Sequence, residues 1–394
     1  MGNYCCCLCC CGRRRHRGRD AITDPPPPFL HMDDDWADEV WYDALDTHDR
    51  EGEYDDHDDD RGGGEGSSND RQRYPNVEPT FEVTEEELQI LKAELSEAYP
   101  SDWTYMDDAY LRSVASKPYS KDMSRRRPLD YTLEKLMHVM EWRREMQVPD
   151  MEGWIEACHR VDNNHKGNND DDRSLEALLP DKDTVQKARK MVESLNQNHM
   201  YWHGMTVDGR PILWIRTERK FWYPNVAAEV NALVCMADAG IRYGMPKGVT
   251  DFVAISHSHN PPPPQPACIF QMLRGLVKGY PDRMRLLISA PVGTIIEFIM
   301  NLILPHLPGR LAHKFSFYKM EHVQDKLEGL LWHGKDDIPT FFGGPADHDA
   351  YYPPPTTSKK NKGSDVLLRF DWYGMKRRLQ EQKAAFEKNR QLSS

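Results

Sequence analysis

From Thr84 onward, apolar residues recur at intervals of three and four. Thr84 with Glu87 makes a capping-box signature, and Leu88, Leu91 and Leu95 follow on one helical face. The same pattern predicts a second short helix over Asp107–Ser116. A third starts with Asp130 as N-cap and carries Leu133, Leu136, Met137 and Met140 on one face. It runs through Glu141-Trp142-Arg143-Arg144 and stops near Pro149. A short helix is expected from Asp150 to His159, then a loop over the Asn/Asp-rich stretch Asp162–Asp172. Another helix spans Asp183–Asn196, where Val185, Ala188, Val192 and Leu195 align. Residues 81–197 read as a small all-α region.

The period then changes. Tyr201–Val207 and Pro211–Thr217 alternate around Asp208-Gly209, a dipeptide favoured in tight hairpins. Val249–Ser256 is a further expected strand, and Pro266–Lys278 a helix with proline suited to its first turn. Met284–Ala290 is almost wholly apolar, as a central strand buried on both faces would be. Phe315–Met320 reads as a strand and Val323–Leu331 as a helix. Strands alternating with helices imply a mixed α/β sheet. Between the last two strands, Thr294–Leu304 is apolar over most of a helix circumference, with Thr294, Glu297 and Asn301 as one polar stripe. Such a helix needs covering by protein, lipid or ligand. At about 16 Å it is too short to cross a bilayer.

Charge and composition narrow the setting. There are 51 Lys+Arg against 63 Asp+Glu, a net charge of -12, which argues against a nucleic-acid partner. No apolar run reaches the roughly 20 residues of a membrane-spanning helix. The most apolar stretch, Leu286–Leu304, is broken by Pro291, Glu297 and Asn301. The first residues lack the apolar core of a secretory signal. Six of the nine cysteines, Cys5, Cys6, Cys7, Cys9, Cys10 and Cys11, crowd the N-terminus, a spacing that suits neither a disulfide framework nor a zinc site. Gly2 meets the first requirement for myristoylation, although Cys6 stands where Ser or Thr is usual. Palmitoylation of the adjacent cysteines and the basic run Arg13, Arg14, Arg15, Arg17 and Arg19 would supply the further signals a stable membrane hold requires. Residues 1–19 are therefore expected to be an acylated, polybasic anchor on an anionic cytoplasmic leaflet, with the chain peripheral to the membrane. Residues 20–80, with Pro25–Pro28 and a dense Asp run, read as a disordered acidic linker spanning about 40 to 45 Å.

The order of motifs in the second half resembles the CRAL-TRIO lipid-binding family of retinaldehyde-, tocopherol- and phosphatidylinositol-binding proteins. It is carried by Trp142-Arg143, Asp208-Gly209-Arg210-Pro211-Ile212, Tyr280-Pro281-Asp282-Arg283-Met284, Ala290-Pro291, Pro305, Ile338-Pro339 and Phe342-Gly343-Gly344. The basic helical motif usual before residue 130 is replaced by Ser116-Lys117-Pro118 and Arg125-Arg126-Arg127-Pro128. The resemblance implies a carrier without chemistry, its α/β fold enclosing an apolar pocket for one lipid beneath a mobile gate. It assigns pocket and gate to Phe252, Ala254, Ser256, Leu287, Ser289, Ile295, Phe298, Ile299, Leu302 and Ile303. In phosphatidylinositol-binding members an acidic residue after Tyr-Pro and a lysine beyond the gate approach the headgroup. Asp282, shorter than the usual Glu, and Lys314 occupy those positions. The hydroxyl residues of those members correspond here to Asp251 and Val253.

The expected domain runs over 198–348, followed by a Pro-rich linker and a C-terminal helix over 349–394. That helix, from Asp365 to Leu392, would dock on the domain or on a partner. No cofactor is expected beyond a bound lipid. Two other readings stand beside the carrier. His257 and His259, two residues apart, could serve a metal-dependent enzyme, although no nucleophile elbow, phosphate loop or His-Glu-x-x-His accompanies them. The proline runs Pro25–Pro28, Pro261–Pro264 and Pro353–Pro355 would suit a signalling scaffold bound by a Pro-motif-binding protein.

Overall fold

The structure is a computed structural model that describes residues 80–100, 106–119, 122–164, 174–262, 265–293, 314–355 and 367–393. The expected anchor (Gly2 and Cys5 to Cys11), the acidic linker and the gate residues Ile295, Phe298, Ile299, Leu302 and Ile303 lie outside them.

Helix α1 (Glu85–Ala98) opens on the expected capping box: Thr84 accepts from the Glu87 amide at 3.2 Å, and Glu87 accepts from the Thr84 amide at 2.9 Å. Asp107 caps α2 (Asp108–Ala115) through the Tyr110 amide at 2.9 Å. A two-stranded ribbon follows, β1 (Pro118–Tyr119) with β2 (Asp122–Arg126). Its basic sequence gave no strand signal. It is tied down by the ion pair of Arg126 with Glu87.

Helix α3 (Leu129–Glu145) begins two residues earlier than expected. Asp130 is inside its first turn rather than at the cap, because Pro128 already supplies the extended residue before it. Pro149 does not end this helix. It sits in the first turn of α4 (Val148–Asn164), where its missing N–H would have been unpaired anyway. Gln147, at φ 56°, makes the break between the two. Asp162, expected in a loop, is buried inside α4. A short α5 (Leu175–Leu178) and the Asp181-capped α6 (Lys182–Leu195) complete the region. Leu88, Leu91, Leu95, Tyr110, Leu111, Leu136 and Met140 form a small core of its own.

The main sheet has the order β3-β4-β5-β6-β7: β3 (Met200–Met205), β4 (Pro211–Arg216), β5 (Phe252–His257), β6 (Met284–Ala290) and β7 (Phe315–Phe317). β3 and β4 are antiparallel and the remaining pairs parallel, so the fold is α/β with a mixed sheet. Between β4 and β5 runs α7 (Val226–Ala239), which the sequence pattern did not reveal. Its residues from Ala232 to Ala239 are all buried, so no polar stripe marks a helical face. A π-helical turn, Gly240–Gly244, extends it. A Cβ on Gly240 would stand 2.1 Å from the Trp202 indole, so only glycine allows helix and sheet to approach this closely.

Helix α8 (Pro266–Gly279) joins β5 to β6. Strand β7 is shorter than expected, since Met320 already opens α9 (Met320–Leu330). The C-terminal α10 (Trp372–Ser393) docks on the domain, with Trp372, Met375, Leu379 and Phe386 buried.

Candidate functional site

Strand registers sort the side chains onto two faces. One carries Trp202, Leu213, Ala254, Leu287 and Phe315 in one row, and Ile215, Ser256, Ser289 and Phe317 in the next. At the β3 side α7 closes this face. Trp202 Nε1 donates to the Met236 carbonyl at 2.7 Å, and its ring meets Phe252 edge-on at 5.3 Å. Elsewhere on this face burial is incomplete: Ile215 of β4, Leu287 of β6 and Phe315 of β7 are half-buried, as are Val230 of α7 and Met272 and Leu276 of α8. Of the expected pocket residues, Phe252, Ala254, Ser256 and Ser289 are buried on this face and Leu287 is half-buried. Ser258 bridges the two strands, 3.2 Å from Ser256 Oγ and 2.8 Å from Ser289 Oγ, a buried chain of hydroxyls within an apolar face.

Over β3, β4 and β5 the opposite face is sealed by aromatic packing, while Leu286 of β6 on the same face is half-buried. Tyr352 stacks on Tyr201 with ring centroids 4.1 Å apart, Phe341 and His348 meet Trp214 edge-on, and the Arg216 guanidinium lies 3.8 Å over Phe341. Burial, then the neighbouring His203, Arg216 and Arg219, pushes His348 down to about 2, and burial with Arg378 brings His203 to about 4. His257 belongs to this sealed face. Its ring packs on Phe341 and Phe342, and Nδ1 lies 3.2 Å from Glu218 Oε2. His259 is exposed, its ring 6.0 Å from that of His257. Among the described residues no group of three or more His, Cys, Asp or Glu could hold a metal ion.

At the N-terminal ends of β6 and β7 the structure brings Asp282 and Lys314 into one electrostatic cluster. Trp142-Arg143 and Tyr280 explain how the region is held. Trp142 packs beside Tyr280, Arg143 donates to Asp238 of α7 at 2.6 Å, and Tyr280 donates to the Val234 carbonyl at 2.9 Å. Asp282, at φ 60°, turns its carboxylate toward Arg127 and Lys135, each 3.9 Å from Oδ2. Burial alone would raise its pKa. Lys135, Arg127, Lys314 and Lys117 outweigh burial and hold the carboxyl well below the usual range. Among the described residues Oδ2 has no hydrogen-bond partner. Reading along the chain did not find Lys117, Arg127 and Lys135 as site residues. They come from the helical region, more than 140 residues before Asp282; the only signal for Lys117 and Arg127 was the basic replacement at 117–127, and Lys135 had none.

A second buried charge also went unrecognised. Glu229, 1% exposed in the first turn of α7, accepts from Ser194 at 2.7 Å, with His199 at 3.0 Å and Lys220 at 3.3 Å. Burial opposes its ionisation, but His199 and Lys220 prevail and keep the carboxyl far below its ordinary value. This network ties α6, β3 and α7 together at the sheet edge.

Residues 195–344 match the family model of the CRAL/TRIO domain, so the resemblance carried by the motifs holds over this segment. That family is one of lipid-binding and lipid-transfer carriers rather than enzymes, and lipids are the ligands the domain points to. Among solved structures, the chain is similar to one titled "Crystal structure of Sfh5", at 11% identity and a TM-score of 0.39. That alignment covers 76% of this chain and 100% of the other. No curated protein sequence matches the chain.

Proposed function

We propose that the chain is a membrane-tethered lipid carrier that shelters one hydrophobic molecule or phospholipid against the α7–α8 face of the sheet and performs no bond chemistry. The observation that carries this reading is a half-buried apolar strip on the face of the sheet that carries the expected pocket residues. Ile215, Leu287 and Phe315 form that strip. The proposed gate, Thr294–Leu304, lies in the sequence between β6 and β7. Its apolar circumference supports a role as the cover of a lipid.

The Asp282 cluster supports an anionic headgroup at the N-terminal end of the strip. Four cations act on this one carboxylate, an electrostatic setting that suits a phosphate, with Lys314 as its proposed partner. A phospholipid lying along β6, about 20 Å long, would place its acyl chains toward the opposite end. In this reading Gly2 and the N-terminal cysteines carry acyl chains, the Arg run meets anionic lipids, and residues 20–80 are the tether. The carrier reading is tested on full-length protein from a eukaryotic host. Native mass spectrometry is expected to show one apolar small molecule bound per chain. Protein that is consistently empty and takes up no lipid from vesicles would refute it.

A further inference from the structure

The loop between β4 and α7 carries Phe221-Trp222-Tyr223, which are 44%, 65% and 83% exposed. Three consecutive aromatic side chains facing water are costly unless something covers them. The backbone beneath them is held firmly. Phe221 N donates to Gln197 Oε1 at 2.6 Å, Gln265 donates to the Trp222 carbonyl at 2.9 Å, and Asn225 caps α7 through the Ala228 amide at 3.0 Å. The base of the loop is fixed by Lys220, whose ammonium lies 3.3 Å from the buried Glu229. The loop is thus a rigid mount that presents its rings outward.

We infer that this aromatic tip is the domain's own contact with a lipid surface, separate from any N-terminal anchor. Three observations select a bilayer interface over a protein. First, the tip from Phe221 to Asn225 has no formal charge, so the chain's net charge of -12 does not act through it. Second, Trp and Tyr pair an apolar ring with a polar edge, the chemistry of the zone between headgroups and acyl chains. Third, the loop follows β4 at the C-terminal end of the parallel strands, the end where Ala290 closes β6. Tyr223 and Trp222 would therefore set that end against the bilayer, where the acyl end of a cargo leaves. The inference rests on the carrier reading for this last step.

The test uses full-length chain made in bacteria, so that no acyl chain is attached, floated with phosphatidylcholine vesicles. The W222A/Y223A double substitution is expected to lower the vesicle-bound fraction about tenfold, in line with the apolar area withdrawn from the interface. W222F, which keeps a ring, is expected to retain most of the binding. In the parent chain, brominated lipid should quench more tryptophan emission than it does in W222F. A double variant that floats like the parent overturns the inference, as does a parent that does not float at all, the outcome expected if the tip serves a protein partner. Native mass spectrometry of the same samples reads the cargo separately. An empty parent chain that still floats through these rings would sink the carrier reading and leave the tip's role standing.

Discussion

His203 and His348 stand together on the sealed face, ring centroids 4.3 Å apart, with Arg216, Arg219 and Arg378 around them. Both are held below the ordinary 6.5, so the unfolded chain binds protons in a pH range where the folded one does not. Their contribution is complete above pH 6.5 and is lost as pH falls, to about 4 for His203 and to about 2 for His348. The half-buried Glu218 and the buried Glu229 have lowered values and lose their contribution only below about 4.5, so above that pH the histidine effect stands apart. Stability to urea is expected to drop by about 3 kcal/mol between pH 6.5 and 4.5, with His203 discounted for its partial exposure. His348→Phe, which keeps the ring packing, should flatten that slope; an unchanged slope would assign the titration elsewhere. At this scale the sequence was only partly legible. Asp282 and Lys314 could be singled out because the motif order points to them. The histidine pair could not, because its partners join β3 to a segment some 145 residues further on.

Among the elements, the legible ones advertise a single buried face or a cap: α1 by its capping box and α6 by Val185, Ala188, Val192 and Leu195. Those that escaped did so for the opposite reason. Helix α7 is enclosed on nearly every side and has no polar stripe, while the β1–β2 ribbon is short and basic. Asp162 shows how a composition-based reading fails. In an Asn/Asp-rich stretch it reads as loop, yet its carboxylate accepts from the Leu367 and Leu368 amides at 2.5 and 2.7 Å. Those two bonds fix the segment leading into α10, whose Phe386 then packs over Gly209 in the β3–β4 turn. Asp162→Ala leaves the part-buried Leu367 amide and the buried Leu368 amide without acceptors, at a cost of about 2 to 6 kcal/mol by the usual penalty for each. Hydrogen exchange is expected to rise along α10 and at residues 367–370 while β4–β6 stay protected. Uniform exchange across the domain would mean the clamp is global rather than local.

For the whole molecule, the argument turns on a sheet whose two faces are finished differently. The sealed face is built from rings contributed after residue 338, so its packing depends on the chain returning across β3 and β4. Among the described residues, α7 closes the other face on the β3 side. Leu287 is the informative position, because its partners in register are the buried Ala254 and the half-buried Phe315, so it marks where cover by the described residues thins. Were this strip simply loose packing, Leu287→Trp would gain buried surface and change nothing else. If the strip instead faces a lipid, the indole occupies the cargo's volume. The expected outcome is a several-fold loss of bound lipid per chain by native mass spectrometry, with a melting temperature at or above that of the empty parent protein, since a filled void removes a packing defect. A tryptophan variant that melts lower and retains its lipid would place the cargo elsewhere, because the substitution would then have disturbed packed protein instead of a ligand space.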